Sequence, residues 1–161
     1  MASSLPFIPR VVFTVIEPVS LLAGFVGAVH DPAWFVAEQV PQAIPPPAAA
    51  SFVPVSSLVI GWQLGNMYLL VGLVGLAVLL STSEVKVVRN YLVALWIGDI
   101  GHVAASCYGL GRERLVHPST WNAMAWGNIA VTLFLFLTRS AYFLGAFGPD
   151  RPPFIAGKKS S

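Results

Sequence analysis

Three ionisable residues lie inside long apolar stretches of the chain, and together they could support acid–base chemistry. Glu17 lies in the first stretch, and Asp99 and His102 lie in the third. An ionisable side chain at the centre of a membrane helix costs roughly 2.5–3.5 kcal/mol on insertion scales, so such a residue is a functional candidate by default. Two carboxyl groups in different surroundings can act as acid and base, and an imidazole can relay the proton. We therefore take Glu17, Asp99 and His102 as the candidate catalytic residues.

The composition indicates that lipid surrounds these residues. Of the 161 residues, 56% are hydrophobic and 10% are charged, whereas soluble domains carry roughly 25% charged residues. A membrane span needs about 20 mostly apolar residues, and backbone hydrogen bonds within lipid must close inside each span. The predicted fold is therefore all-α, an integral membrane four-helix bundle. Its spans are about 11–29, 55–80, 91–110 and 121–137.

The remaining segments are predicted from their composition and length. The first span is long for a cleaved signal peptide and contains Glu17 and Pro18, which favours a retained helix. Two short connections make neighbouring helices antiparallel, and a Pro-rich connection disfavours helix. The predicted segments are an N-terminus (1–10), a transmembrane domain (11–147) with the Pro-rich lumenal loop (30–54) and short loops (81–90 and 111–120), and a tail (148–161).

The distribution of lysine and arginine predicts the orientation. One side carries seven of these residues and the other carries two, so the N- and C-termini are expected in the cytosol. The chain ends with Lys158-Lys159-Ser160-Ser161, which resembles the dilysine retrieval signal of endoplasmic-reticulum membrane proteins. The alternative is a solvated basic tail. The expected location is a multi-pass protein of the endoplasmic-reticulum membrane.

Each predicted span carries one polar stripe at helical spacing, and four stripes that point inward would form a polar pocket in the bundle. Aromatic side chains could wall such a pocket and stabilise developing positive charge. The amides could instead be interhelical hydrogen-bond partners, and the tryptophans could form an interfacial belt. The candidate substrate-binding residues are Trp62, Gln63, Asn66, Tyr91, Trp96, Trp121 and Asn128.

Several kinds of site find no support in the sequence. Neither a His-x-x-x-His nor a cysteine pattern suggests a metal, and Cys107 is the only cysteine. The glycines suit helix packing and form no nucleotide-binding motif. No basic block is interleaved with aromatics as nucleic-acid binding would require. We expect no cofactor, no metal and no nucleic acid, with the lipid bilayer and a lipophilic small molecule as partners.

Several short motifs resemble small fungal membrane proteins of secondary-metabolite clusters, which include epoxide-forming and epoxide-opening enzymes. These motifs are Glu17-Pro18, Trp62-Gln63-x-x-Asn66, Gly98-Asp99-Ile100-Gly101-His102 and Trp121-Asn122. That group looks distantly related to the integral membrane terpene cyclases, and the plan of four spans is similar to the sterol-isomerase and sigma-2 receptor fold. The resemblance implies acidic catalytic residues at Glu17 and Asp99, with His102, Asn66 and Asn128 in support.

The expected function is acid–base opening or cyclisation of an epoxide on a lipophilic polyketide or terpenoid. An epoxidase is an alternative, and because no redox site is visible it would need a partner such as a pathway monooxygenase. A sterol- or lipophile-binding membrane protein is a further alternative, and a structural scaffold is the least specific one. Assembly into a homo-oligomer is left open.

Overall fold

The computed structural model describes residues 4–41 and 53–150, and its regular structure there is entirely helical. The first helix, α1, covers Phe7–His30 and includes a π-helical segment at Val12–Ile16. A short helix α2 follows at Pro32–Ala37. The two longest helices are α3, Val55–Ser81, and α4, Val85–Leu115. After a 3-10 turn at Pro118–Thr120, the last helix α5 covers 123–143 and contains a π-helical segment at Trp126–Val131.

Three of these helices are long and apolar enough to cross a membrane. They are α1, α3 and α4, with peak mean hydropathies of 1.9, 2.0 and 1.2. Only 22%, 17% and 11% of the residues in these apolar windows are buried inside the chain, as expected when the remaining surface faces lipid. The protein is therefore a multi-pass membrane protein with three to four membrane helices, in which α5 is the fourth apolar helix.

Small residues bring α1 and α3 together as a closely packed pair. A Cβ added at Gly65 would lie 2.6 Å from the Ala28 side chain, and one added at Gly24 would lie 2.7 Å from Tyr68. Removal of side-chain bulk at these positions lets the two backbones approach, which is the usual basis of helix association in lipid. We call α1, α2 and α3 the first half of the bundle.

The second half consists of α4 and α5, which contact each other through larger side chains. The Trp96 indole stacks on Phe136 with ring centroids 5.3 Å apart, and its Nε1–H donates to Ser140 Oγ at 2.9 Å. The two halves meet in an apolar core at one end of the bundle. This core contains Leu5, Val12, Phe13, Leu79, Val88, Leu92, Leu135 and Tyr142.

The Pro-rich connection begins with a helix, although its composition disfavours one. Pro32 occupies the first turn of α2, where its missing N–H is not needed, and Asp31 accepts a hydrogen bond from the Trp34 backbone N–H at 2.9 Å. A proline therefore starts a helix here. The predicted continuation over 42–52 lies outside the described residues.

The helix α4, the third of the long helices, also extends further than the span 91–110 expected for it. The helix continues to Leu115 through a break at Gly111, whose φ of 75° is in the left-handed region that favours glycine. The predicted connection 81–90 is reduced to the residues between Ser81 and Val85. Helix ends of this kind extend beyond the apolar stretch because polar residues can continue a helix outside lipid.

Proline also explains the irregular part of α1. Pro18 lacks a backbone N–H and its ring clashes with the carbonyl one turn earlier, and the π-helical segment Val12–Ile16 lies at that position. The Thr14 hydroxyl donates to the Arg10 carbonyl at 2.7 Å and so supports this turn. The widened turn ends immediately before Glu17, which it helps to orient.

Candidate functional site

A buried arginine joins the two acidic residues that the sequence predicted to meet. Arg139 of α5 donates from one terminal nitrogen to Asp99 Oδ2 of α4 at 2.5 Å and from the other to Glu17 Oε1 of α1. Arg139 is fully buried, and the Glu17 and Asp99 side chains are 9% and 11% exposed. These three residues, the charged cluster, connect three helices from both halves of the bundle.

The charged cluster has one more acid than base. If both carboxyl groups are ionised, two negative charges face one positive charge. An arginine side chain stays protonated in proteins, and an uncompensated charge in an apolar interior is expensive. One retained proton would make the cluster neutral, with one carboxylic acid and one carboxylate on the same guanidinium.

The Arg139 guanidinium is also in contact with aromatic side chains. Its central carbon lies 5.0 Å from the centroid of the Phe13 ring, and its Nε–H has no hydrogen-bond acceptor among the described residues. Tyr91 is half-buried and close enough to interact electrostatically with Glu17 and Arg139. Arg139 is therefore inaccessible to solvent, while the two carboxyl groups of the charged cluster keep some exposed surface.

His102 lies one turn beyond Asp99, but its partner is a different residue. The Asn128 side chain of α5 is within hydrogen-bond reach of the imidazole, whereas the Asp99 carboxylate bonds to Arg139. Asn128 Nδ2 also donates to Gln39 Oε1 at 3.0 Å. The structure therefore places Glu17 and Asp99 together and places His102 with Asn128, farther along the bundle.

A second group of polar side chains, three amides and the carboxyl group of Glu38, forms hydrogen bonds at the end of the bundle that lies beyond His102. Asn122 Nδ2 donates to the Glu38 carbonyl at 2.9 Å and to Glu38 Oε2 at 2.8 Å. Its Oδ1 accepts from the Ala125 backbone N–H at 2.8 Å and so caps the start of α5. We call Glu38, Gln39, Asn122 and Asn128 the amide cluster. It joins the segment after α2 to α5.

The polar residues of α3 do not point into the bundle as expected. Trp62, Gln63 and Asn66 are all exposed. The opposite face carries the small residues Gly61 and Gly65, which are buried against α2 and α1 respectively. Close backbone packing thus determined the rotation of this helix, and the polar stripe was left on the outer surface.

The tryptophans predicted to wall a pocket have separate positions. Trp96 contacts Ser140 and Phe136 near the charged cluster. Trp121 donates from Nε1 to the Arg114 carbonyl at 2.9 Å and lies 5.1 Å from the Trp126 ring, at the amide end. Only Trp96 and Tyr91 are therefore placed near the acids.

Arg139 is not among the residues predicted for the site. The lysine and arginine count assigns it to the cytosolic side because it follows the last apolar stretch, although it shares the polar face of the fourth span with Asn128. The signal that identifies it is that two buried acids need a cation. Among residues 4–41 and 53–150, no three His, Cys, Asp or Glu side chains group closely enough to hold a metal ion.

Comparisons with known proteins give a family but no activity. No curated protein and no solved structure matches the chain. The family described as "Domain of unknown function (DUF7704)" matches residues 2–149, which is most of the sequence. The chain, with its charged cluster and its three to four membrane helices, therefore belongs to the DUF7704 family.

Proposed function

We propose that this protein is a membrane enzyme of natural-product biosynthesis that opens or cyclises an epoxide on a lipophilic polyketide or terpenoid. The observation that carries the proposal is the pair of carboxyl groups, Glu17 and Asp99, held by one buried guanidinium. A neutral cluster would contain one acid and one carboxylate, and these are the two partners that epoxide opening needs. The resemblance of the Glu17-Pro18 and Gly98-Asp99 motifs to epoxide-processing membrane proteins supports the same reaction.

The proposed reaction conserves the charge of the cluster. The protonated carboxyl group gives its proton to the epoxide oxygen as the carbon–oxygen bond of the ring breaks. The other carboxylate accepts a proton from the attacking water or substrate hydroxyl as the new carbon–oxygen bond forms. General acid–base assistance of this kind supplies roughly 10² to 10⁴ in rate. Arg139 is a positioning residue that fixes the separation of the two groups.

The face of α4 that carries Gly98 and Gly101 is open. A Cβ added at either glycine would meet no atom within 4 Å. We propose that a lipophilic substrate dissolved in the bilayer lies against this face and reaches the partly exposed edge of Asp99 from there, since the Asp99 side chain keeps 11% of its surface exposed. This arrangement favours substrates that partition into membranes.

The proposed cellular setting is the endoplasmic-reticulum membrane with both termini in the cytosol. Because Arg139 is neutralised inside the bundle, it no longer counts toward the orientation. The remaining lysines and arginines number six on the proposed cytosolic side and two on the other, so the asymmetry persists. The first group is Arg10, Lys86, Arg89, Arg151, Lys158 and Lys159, and the second is Arg112 and Arg114.

The test compares microsomes from yeast that express the wild type, Glu17→Gln or Asp99→Asn, each fed with epoxidised polyketide and terpenoid precursors. Each single amide leaves one carboxylate on Arg139, so the fold should persist while the acid–base pair is lost. We expect product by mass spectrometry from the wild type and a loss of at least about 10²-fold in each variant. Glu84→Gln is the matched control, because Glu84 is exposed at the start of α4.

Three outcomes would contradict the proposal. Unchanged conversion in both single variants would show that the two carboxyl groups take no part in the reaction. Incorporation of labelled oxygen gas into the product of a purified system would favour the epoxidase alternative. A precursor that is retained by the protein and recovered unaltered would favour a lipophile-binding protein.

A further inference from the structure

A groove lies at the end of α4 that is farthest from the charged cluster. It begins where Gly111 breaks the helix and continues into the 3-10 turn before α5. The residues that line it are Leu110, Gly111, Arg112, Glu113, Arg114, His117 and Thr120.

Local hydrogen bonds give this segment a fixed shape. The Val116 backbone N–H donates to the Arg112 carbonyl at 3.3 Å, and the Thr120 N–H donates to the His117 carbonyl at 2.9 Å. The Trp121 indole closes the segment by donating to the Arg114 carbonyl at 2.9 Å. The groove is thus formed by folded backbone that also anchors the start of α5.

The charged groups of the groove are mostly basic. Arg112 and Arg114 are exposed, and neither forms an ion pair with another described residue. Glu113 is the one acid among the lining residues. The His117 Nδ1–H donates to the Glu113 carbonyl at 2.8 Å, which leaves Nε2 as the ring nitrogen outside that bond.

The positions of these two arginines in the sequence are unusual. No lysine or arginine occurs between His30 and Lys86, and between Arg89 and Arg139 only Arg112 and Arg114 occur. This end of the bundle is therefore almost free of basic residues, and both exceptions line one groove. A specific use for the two guanidinium groups explains their placement better than general surface charge.

We propose that this groove binds the phosphate of an anionic lipid headgroup. Guanidinium groups match phosphate oxygens with paired, charge-assisted hydrogen bonds. Two large exposed side chains lie four residues before and four residues after Arg112, namely Tyr108 at 91% and Val116 at 63% exposed. They supply surface for the glycerol and upper chain of a lipid. Free phosphate offers nothing for that surface, so the lipid is the ligand that fits both features.

The experiment titrates the purified full-length protein in neutral detergent with short-chain phosphatidic acid and follows the midpoint of thermal unfolding. Diacylglycerol with the same chains lacks the phosphate, and sodium phosphate lacks the chains. We expect a rise in the midpoint with phosphatidic acid alone. Arg112→Gln/Arg114→Gln should weaken the apparent affinity about tenfold, whereas Glu113→Gln should strengthen it about two- to threefold.

The matched control is Lys158→Gln/Lys159→Gln, which removes the same charge from the tail and should bind as the wild type does. Equal weakening in this control would overturn the proposal, as would unchanged affinity in both groove variants. A midpoint raised equally by sodium phosphate at the same concentration would overturn the assignment to a lipid. Glu113→Gln keeps the test decisive if the double arginine variant does not fold, because its expected effect has the opposite sign.

Discussion

The charged cluster and the amide cluster join the same two halves of the bundle by different means. In the charged cluster, Arg139 bonds to Asp99 and Glu17 and is fully buried. In the amide cluster, half-buried amides such as Asn128 and Gln39 exchange hydrogen bonds at ordinary distances, here 3.0 Å. One end of the bundle therefore depends on charge balance among buried groups. The other depends on hydrogen bonds from half-buried amides, one of which goes to the Glu38 carboxyl group.

This difference indicates how the two ends should respond to substitution. A buried charge that loses its partner cannot be solvated in lipid, so the members of the charged cluster depend on one another. A neutral amide that loses its partner can find another donor or acceptor nearby, so its loss costs little. The charged cluster can in turn hold a proton for chemistry in a buried position, while the amides of the other cluster hold the two halves together.

The largest expected effect comes from removal of both carboxylates. Glu17→Gln/Asp99→Asn leaves a buried guanidinium that cannot lose its charge, so we expect the free energy of unfolding to fall by about 3–5 kcal/mol. Either single amide leaves a neutral one-to-one pair and should cost about 1 kcal/mol. Unfolding in mixed micelles with increasing denaturing detergent would measure these differences.

The expected loss in the double variant exceeds the sum of the two single losses, because the two carboxyl groups share one guanidinium. If the double variant loses only the sum of the two single losses, the two ion pairs are independent and the charge-balance argument fails. Arg139→Gln should fall between the single and double variants, since two carboxyl groups can each take up a proton whereas an arginine cannot release one. Glu84→Gln, exposed outside the cluster, should change the free energy by less than about 0.5 kcal/mol.

A smaller effect is expected at Asn122, which has two roles in the amide cluster. Asn122→Ala removes the cap of α5 and the bonds to Glu38, at a cost of about 1–2 kcal/mol. Asn122→Asp keeps the cap acceptor but places a carboxylate beside the Glu38 carboxylate. In the same unfolding assay we expect the Asp variant to be no more stable than Ala. Recovery of wild-type stability by Asp would show that the cap alone matters.

The sequence predicted the helices and the meeting of two acids because both depend on local patterns. Glu17 and Asp99 stand on stripes at helical spacing, and the structure connects them through Arg139. The sequence predicts a cytosolic position for Arg139 because a charge directly after the last apolar stretch is typical of the membrane interface. Hydropathy along a chain gives depth only approximately, and it contains no information on which distant groups will neutralise one another.

The rotation of α3 about its axis could not be predicted from the polarity of its residues. Polarity predicted that Gln63 and Asn66 would face inward, whereas Gly61 and Gly65 form the buried face. In lipid, apolar faces gain nothing by turning inward, and close packing of small residues decides the contact. The glycine spacing, which the sequence displays plainly, was therefore the better predictor of the interface than the amides.

The smallest expected effect is at the bond between Asn128 and Gln39. Asn128→Ala should lower the free energy of unfolding by about 0.6 kcal/mol, the average for hydrogen bonds between membrane helices. The amide of Gln39 also donates to the Phe35 carbonyl at 3.2 Å, so it keeps one partner when Asn128 is lost. Asn66→Ala, on the exposed face of α3, is the matched control and should leave the free energy unchanged. A loss at Asn128 larger than that at Asn122 would show that its contact with His102 is a further strong link between α4 and α5. The contrast between a charged cluster whose members depend on one another and an amide cluster that tolerates single losses would then fail.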